Sequence, residues 1–123
     1  MGGNMSGRGI TMKNVFLALM FCVGSTLHAH GQEAGHCMQI GQRGDLYTVR
    51  NLCSSTVIAY YVATHPAQGD YTNGNAHVDS GETHETNLSV RGGIEVYACI
   101  FPHVPRNADG NTPHQPTNGY SCK

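Results

Sequence analysis

The sequence predicts an all-β fold: a small antiparallel β-sandwich or partly open barrel with two disulfides, preceded by a signal-peptide segment. Three observations carry this. Short runs rich in Val, Ile, Thr and Tyr recur between Gly, Asn, Asp and Pro turn signals. Beyond the N-terminus no stretch repeats apolar residues at helical spacing. Four cysteines, Cys37, Cys53, Cys99 and Cys122, remain once the first 31 residues are set aside.

Those residues are set aside for a physical reason. Lys13 precedes VFLALMFCVG (15–24), and STLHAHG (25–31) follows. A basic residue, about ten apolar residues and a small-residue exit have the form of a secretory signal. The run is short of the roughly 20 apolar residues that span a bilayer. Cleavage after Ala29 or Gly31 fits. Phe21 precedes Cys22, where lipid attachment expects a small residue, so no lipid anchor is predicted. Residues 1–11 are Gly-rich and patternless, and Met12-Lys13-Asn14 reads as the more natural start. The expectation is a removed leader over 1–31 and an exported β domain over 32–123, periplasmic or extracellular, with no membrane anchor in its mature form.

The domain carries five basic residues (Arg43, Arg50, Arg91, Arg106, Lys123) against eight acidic ones, a formal charge of −3. No basic stripe exists, which disfavours nucleic acid as a partner. An even cysteine count after an export signal reads as two disulfides. They compensate for the thin core of a small domain. Four cysteines allow three pairings. Cys37–Cys53 with Cys99–Cys122 is favoured, because each bond closes a short loop, worth about 3 kcal/mol in the chain-entropy model. Cys53–Cys99 with Cys37–Cys122 is the rival, since it would tie two core strands together. No CxxC pair offers a structural zinc site.

The elements follow in order. Residues 37–40 suggest a short first strand, 41–45 (GQRGD) a turn, and 46–52 (LYTVRNL) a second strand. Residues 56–64 (TVIAYYVAT) form the strongest strand. Val57, Ala59, Tyr61 and Ala63 lie on one face and Ile58, Tyr60 and Val62 on the other, so a central strand covered on both sides is expected. Residues 66–76 read as a polar loop with Asn73-Gly74 as its sharpest turn, and a short strand follows near 76–78. Ser80-Gly81 is a further turn. Residues 83–90 (THETNLSV) read as an exposed edge strand. Residues 94–101 (IEVYACIF) give the second strong strand, and an irregular tail pinned by Cys122 begins at about residue 102.

Over residues 48–123 the chain resembles a group of small exported bacterial proteins of unknown function. The shared elements are Val49-x-Asn51-x-Cys53-x-x-x-Val57, then Gly93-Ile94-Glu95-Val96-Tyr97-Ala98-Cys99, then Pro102, Pro105 and a closing Gly119-Tyr120-Ser121-Cys122-Lys123. The resemblance implies an exported, β-rich, crosslinked domain. That group has no established activity, so it implies no catalytic residue. Asn51-x-Cys53-x-x-Thr56-Val57 and Ser80-Gly81-Glu82 are similar to thaumatin-like proteins, which implies a β-sandwich alone.

Histidine is the compositional anomaly: His36, His65, His77, His84, His103 and His114 fall in the domain. Two groupings suggest chemistry. His77-x-Asp79 and His84, read as a hairpin across Ser80-Gly81, would offer two imidazoles and a carboxylate to zinc or copper. His65 and His103, read as following two strands that run the same way, would meet as a general acid and base. Tyr47, Tyr60, Tyr61 and Tyr97 on strands suggest either a stacking face or core aromatics with hydroxyls at the rim. No GxSxG, HExxH or P-loop occurs. The leading expectation is a non-enzymatic binding module with a protein or glycan ligand. A histidine-based zinc or copper protein comes second and a small secreted hydrolase third.

Overall fold

In a computed structural model the described residues are 32–123, and their fold is all-β. The expected leader, residues 1–31, lies outside the described residues. Among the described residues eight strands follow one another: β1 (Met38–Arg43), β2 (Leu46–Asn51), β3 (Val57–Val62), β4 (Asn73–Val78), β5 (Thr83–Ser89), β6 (Glu95–Ile100), β7 (Pro105–Arg106) and β8 (Ser121–Cys122). They make two three-stranded antiparallel sheets, β1-β2-β5 and β4-β3-β6, and a β7-β8 ribbon. The sheets do not close into a barrel. Short 3₁₀ turns at Gly35–Cys37 and Val90–Gly92 complete the order.

The expected central strand is β3. Val57, Ala59 and Tyr61 on its inner face are buried in the clusters that hold Cys53, Val78, Leu88 and Ala98. Ile58 and Val62 on its outer face are buried too. The cover on that side is the tail: Thr117 N–H donates to the Tyr97 hydroxyl at 2.9 Å, and the Tyr97 and Tyr120 rings pack with centroids 5.3 Å apart. Continuous apolarity in the sequence thus reflects a sheet between two layers.

Both disulfides join the favoured pairs, Cys37–Cys53 and Cys99–Cys122. The first ties the start of β1 to the approach of β3. The second pins the tail to β6. The outer edge of β6 is closed by the residues that begin the domain: Ala34 N–H donates to the Ala98 carbonyl at 2.8 Å, and Ile100 N–H donates to Gln32 at 2.8 Å. Beyond that bridge the Tyr120 hydroxyl donates to the Ala98 carbonyl at 3.1 Å and accepts from Ala98 N–H at 3.3 Å. A side chain thereby occupies an edge position that a strand would otherwise fill.

Three expectations are corrected. Ser80-Gly81 does not turn a hairpin within one sheet: β4 pairs with β3 and β5 with β2, so this turn carries the chain between sheets. Asn73-Gly74 is not a turn but the start of β4, where Gly74 faces Tyr61 in register. A Cβ at Gly74 would sit 2.6 Å from Tyr61 Cε1, so glycine stands there to let the ring cross the strand. Finally, β3 and β6 are adjacent and antiparallel, Val57 facing Ile100 and Val62 facing Glu95, so they do not run the same way.

Candidate functional site

The corrected topology decides where the histidines lie. His65 follows the end of β3 that faces Glu95, and His103 follows the end of β6 that faces Val57. The two sit at opposite ends of the sheet, so the acid–base pair is not assembled. The His65 imidazole Nδ1 lies 3.1 Å from the Thr64 hydroxyl, and the His103 Nδ1 lies 3.2 Å from the Ile100 carbonyl.

The metal candidates are likewise separated. His77 is exposed and packs on Phe101, with ring centroids 5.5 Å apart. His84 belongs to the other sheet, where its Nε2 lies 3.1 Å from the hydroxyl of the buried Tyr61. Asp79 accepts from the Thr56 hydroxyl at 3.0 Å. A sheet-crossing turn puts His77 and His84 in different layers, where a hairpin would have aligned them. Among the described residues no group of three or more His, Cys, Asp or Glu side chains is placed to hold a metal ion.

The tyrosines divide between two faces. Tyr47 donates to the Val90 carbonyl at 3.2 Å, and Tyr61 lies in the inter-sheet core. Tyr97, under the tail, donates to Glu95. Burial raises the Tyr61 and Tyr120 phenols above their ordinary value. Tyr97 is pushed up to about 12, first by burial and then by its hydrogen bond to Glu95, with Thr117 N–H opposing. These are phenols kept neutral inside the fold.

What the histidines do not supply, a cleft at one end of the sandwich does. The β1–β2 turn, the β3–β4 loop and the end of β5 converge there around a space of about 360 Å³. That volume lies within the small-ligand range of roughly 300–1,000 Å³. Its walls include Asp45, Leu46, Asp70, Tyr71, Asn87 and Arg91. Each is positioned locally. Asp45 sits in a two-residue turn whose first residue, Gly44, has φ 61°, as such hairpins require. Its carbonyl accepts from Val90 N–H at 2.9 Å, which ties the turn to the end of β5. Arg91 N–H donates to the Ser89 hydroxyl at 3.1 Å.

Asn87 owes its position to an irregularity. Leu46 pairs with Ser89 and Thr48 with Glu85, so one residue of β2 stands opposite three of β5. Thr86 stabilises this bulge: its hydroxyl donates to the Tyr47 carbonyl at 2.8 Å and accepts from Leu88 N–H at 3.1 Å. A bulge on an edge strand re-aims a side chain. Here the Asn87 amide nitrogen donates to the Asn73 carbonyl on the neighbouring sheet at 3.4 Å.

Two of the residues in these walls carry an oxygen that has no donor. Asp70 Oδ2 and Asn87 Oδ1 are shielded from solvent and accept no hydrogen bond. Such an acceptor costs about 1–3 kcal/mol. Beside them Tyr71 is 69% exposed, an unusual position for an aromatic ring in a small domain. The sequence reading passed over this group. Gly69, Asp70 and Tyr71 read as loop and Asn87 as an edge residue, and only the register that bulges β5 brings them to one place. Comparison with protein-family models, curated proteins and solved structures finds no match to this chain.

Proposed function

We propose that the chain is a small exported binding module, without catalytic activity, whose ligand seat is the cleft at the β3–β4 loop end. The observation that carries this reading is the pair of donor-less oxygens, Asp70 Oδ2 and Asn87 Oδ1, on residues that wall one cleft. A ligand in the cleft that donates hydrogen bonds to both, once the two side chains turn toward it, relieves them. Export is supported by two disulfides, which persist in oxidising compartments, and by the signal-like N-terminus. The likeness to small exported bacterial β proteins supports the same reading. Among the described residues no helix is long and apolar enough to cross a membrane.

The test is an NMR screen of the isotopically labelled, oxidised protein against mixtures of small polar compounds. Saturable shifts confined to residues 69–71 and 87–91 are expected. Shifts that map only to other surfaces reject the cleft as the seat. Fractionation of cells expressing the full chain tests export, with recovery in the cytoplasm as a reduced protein as the opposing result.

A further inference from the structure

Resting on the cleft reading above, the geometry points to a saccharide as the ligand: a pyranose ring whose hydroxyls donate to Asp70 and Asn87 while its apolar face packs on Tyr71. Three features of the walls select this chemistry. The first is the demand for donors. Asp70 Oδ2 and Asn87 Oδ1 both lack one, and a hydroxyl-rich ring presents several donors within a single small ligand.

The second feature is the mixture of polar roles. Arg91, whose guanidinium has no ion-pair or hydrogen-bond partner among the described residues, supplies donors on the same walls. A sugar hydroxyl both gives and accepts a hydrogen bond, so acceptors and donors side by side suit it. An amine uses only the acceptors and meets the like charge of Arg91. A carboxylate or phosphate uses only Arg91 and meets the like charges of Asp45 and Asp70.

The third feature is the apolar wall. Tyr71 is exposed at 69%, and Leu46 is half-buried. A flat aromatic surface beside hydrogen-bonding groups matches a ring that is apolar on its C–H face and polar at its edge.

Access follows from the local backbone. Asp70 lies between Gly69, with φ 90°, and the exposed Tyr71 in the β3–β4 loop, and Asn87 lies on the bulge. Neither is fixed in a strand ladder. Both oxygens are shielded from solvent in the unliganded fold, so binding requires the two side chains to turn about χ1 and Asn87 to release the Asn73 carbonyl.

The experiment uses the full oxidised chain, isotopically labelled, with two sets of probes. One set is cellotriose, chitotriose, maltotriose and mannotriose. The other is putrescine and spermidine. Shifts are followed over 69–71 and 87–91. The expected result is saturable binding of at least one trisaccharide with Kd below about 1 mM, weakened about tenfold or more by Tyr71→Ala and by Asp70→Asn. Both sites are loop positions, and the spectra of the variants check that the fold persists. Shifts in the cleft with the amines and none with the trisaccharides overturn the saccharide inference and leave the cleft reading standing. Saccharide binding that both variants leave unchanged, or no shift in the cleft with either set, overturns both.

Discussion

Asn51 and Val78, 27 residues apart in sequence, are joined by a hydrogen bond of 2.8 Å from the Asn51 carboxamide to the Val78 carbonyl. The same amide nitrogen donates to Ser55 at 2.8 Å, and the side-chain oxygen accepts from Cys53 N–H at 2.8 Å. The backbone of Asn51 adds bonds to Glu82 and Gly81. One fully buried side chain thus fastens the end of β2, the approach to β3 and the crossing between the sheets. This gives the Asn51-x-Cys53 pattern a physical meaning. Asn51→Leu removes three hydrogen bonds at once, those to the Ser55 and Val78 carbonyls and that from Cys53 N–H, and is expected to cost about 3 kcal/mol in urea unfolding. Asn51→Asp keeps the acceptor for Cys53 but loses both donations, so it is expected to be at least as damaging. A loss under about 1 kcal/mol for both would remove Asn51 as the fastening point.

Gly74 offers a second test, because its constraint is steric alone. Its backbone is not left-handed, yet an added Cβ would meet two ring carbons and the hydroxyl oxygen of Tyr61 within 3 Å. Tyr61 is anchored by burial and by His84, so it has little room to retreat. Gly74→Ala is expected to destabilise by about 1–3 kcal/mol, the ordinary cost of overpacking. In a Tyr61→Leu background the same change is expected to cost less, and the double-mutant cycle reports the contact directly. Equal costs in the two backgrounds would show that the ring is not the obstacle.

These two residues also show where sequence reading succeeds and stops. The doubly apolar run around Val57–Val62 announces a covered central strand, because burial on both faces leaves its mark at every position. The favoured disulfide pairing rests on short loop closure alone, against the rival Cys53–Cys99 with Cys37–Cys122, and the structure joins the favoured pairs. Asn73-Gly74 misled, since a glycine kept small for a crossing tyrosine looks the same as a turn glycine. Ser80-Gly81 misled in another way. A turn that reverses a strand and one that moves it to the other sheet use the same residues. That single ambiguity created the supposed His77–Asp79–His84 grouping. The weak alternation of residues 83–90 rightly marks an edge strand, but Thr86 and Leu88 on it are buried. The cleft was invisible because unmet hydrogen-bonding capacity depends on register and not on composition.

Tyr97 makes stability depend on pH at the alkaline end. Its phenol is raised from the ordinary 10.0 to about 12 in the folded protein, by burial first and Glu95 second. A proton held more tightly when folded favours the fold below the unfolded value. Its contribution is therefore complete below pH 10 and is lost as pH rises towards 12. Tyr97→Phe is expected to flatten this part of the urea stability profile relative to the parent. Glu95→Gln is expected to lower the Tyr97 transition, followed by phenolate absorbance, because a carboxylate that accepts the phenol proton is gone. A Tyr97 transition that stays in place in Glu95→Gln would leave burial as the sole cause.

The tail is held to the β4-β3-β6 sheet by three kinds of contact: the Cys99–Cys122 bond, the Thr117–Tyr97 hydrogen bond and the Tyr120 hydroxyl on the Ala98 backbone. The disulfide closes a separation of 23 residues, for which chain entropy gives about 3 kcal/mol. Replacing both cysteines, Cys99→Ala with Cys122→Ala, is expected to lower stability by about that amount. Amide exchange should report where the loss falls. If the tail is a separate cover, protection drops over residues 102–123 and at Ile58 and Val62 beneath it. The β1-β2-β5 sheet, closed independently by Cys37–Cys53, should retain its protection under native conditions. Uniform loss of protection across both sheets would instead make the tail part of one cooperative core. The ligand cleft would then depend on the second disulfide, although none of its walls comes from the tail.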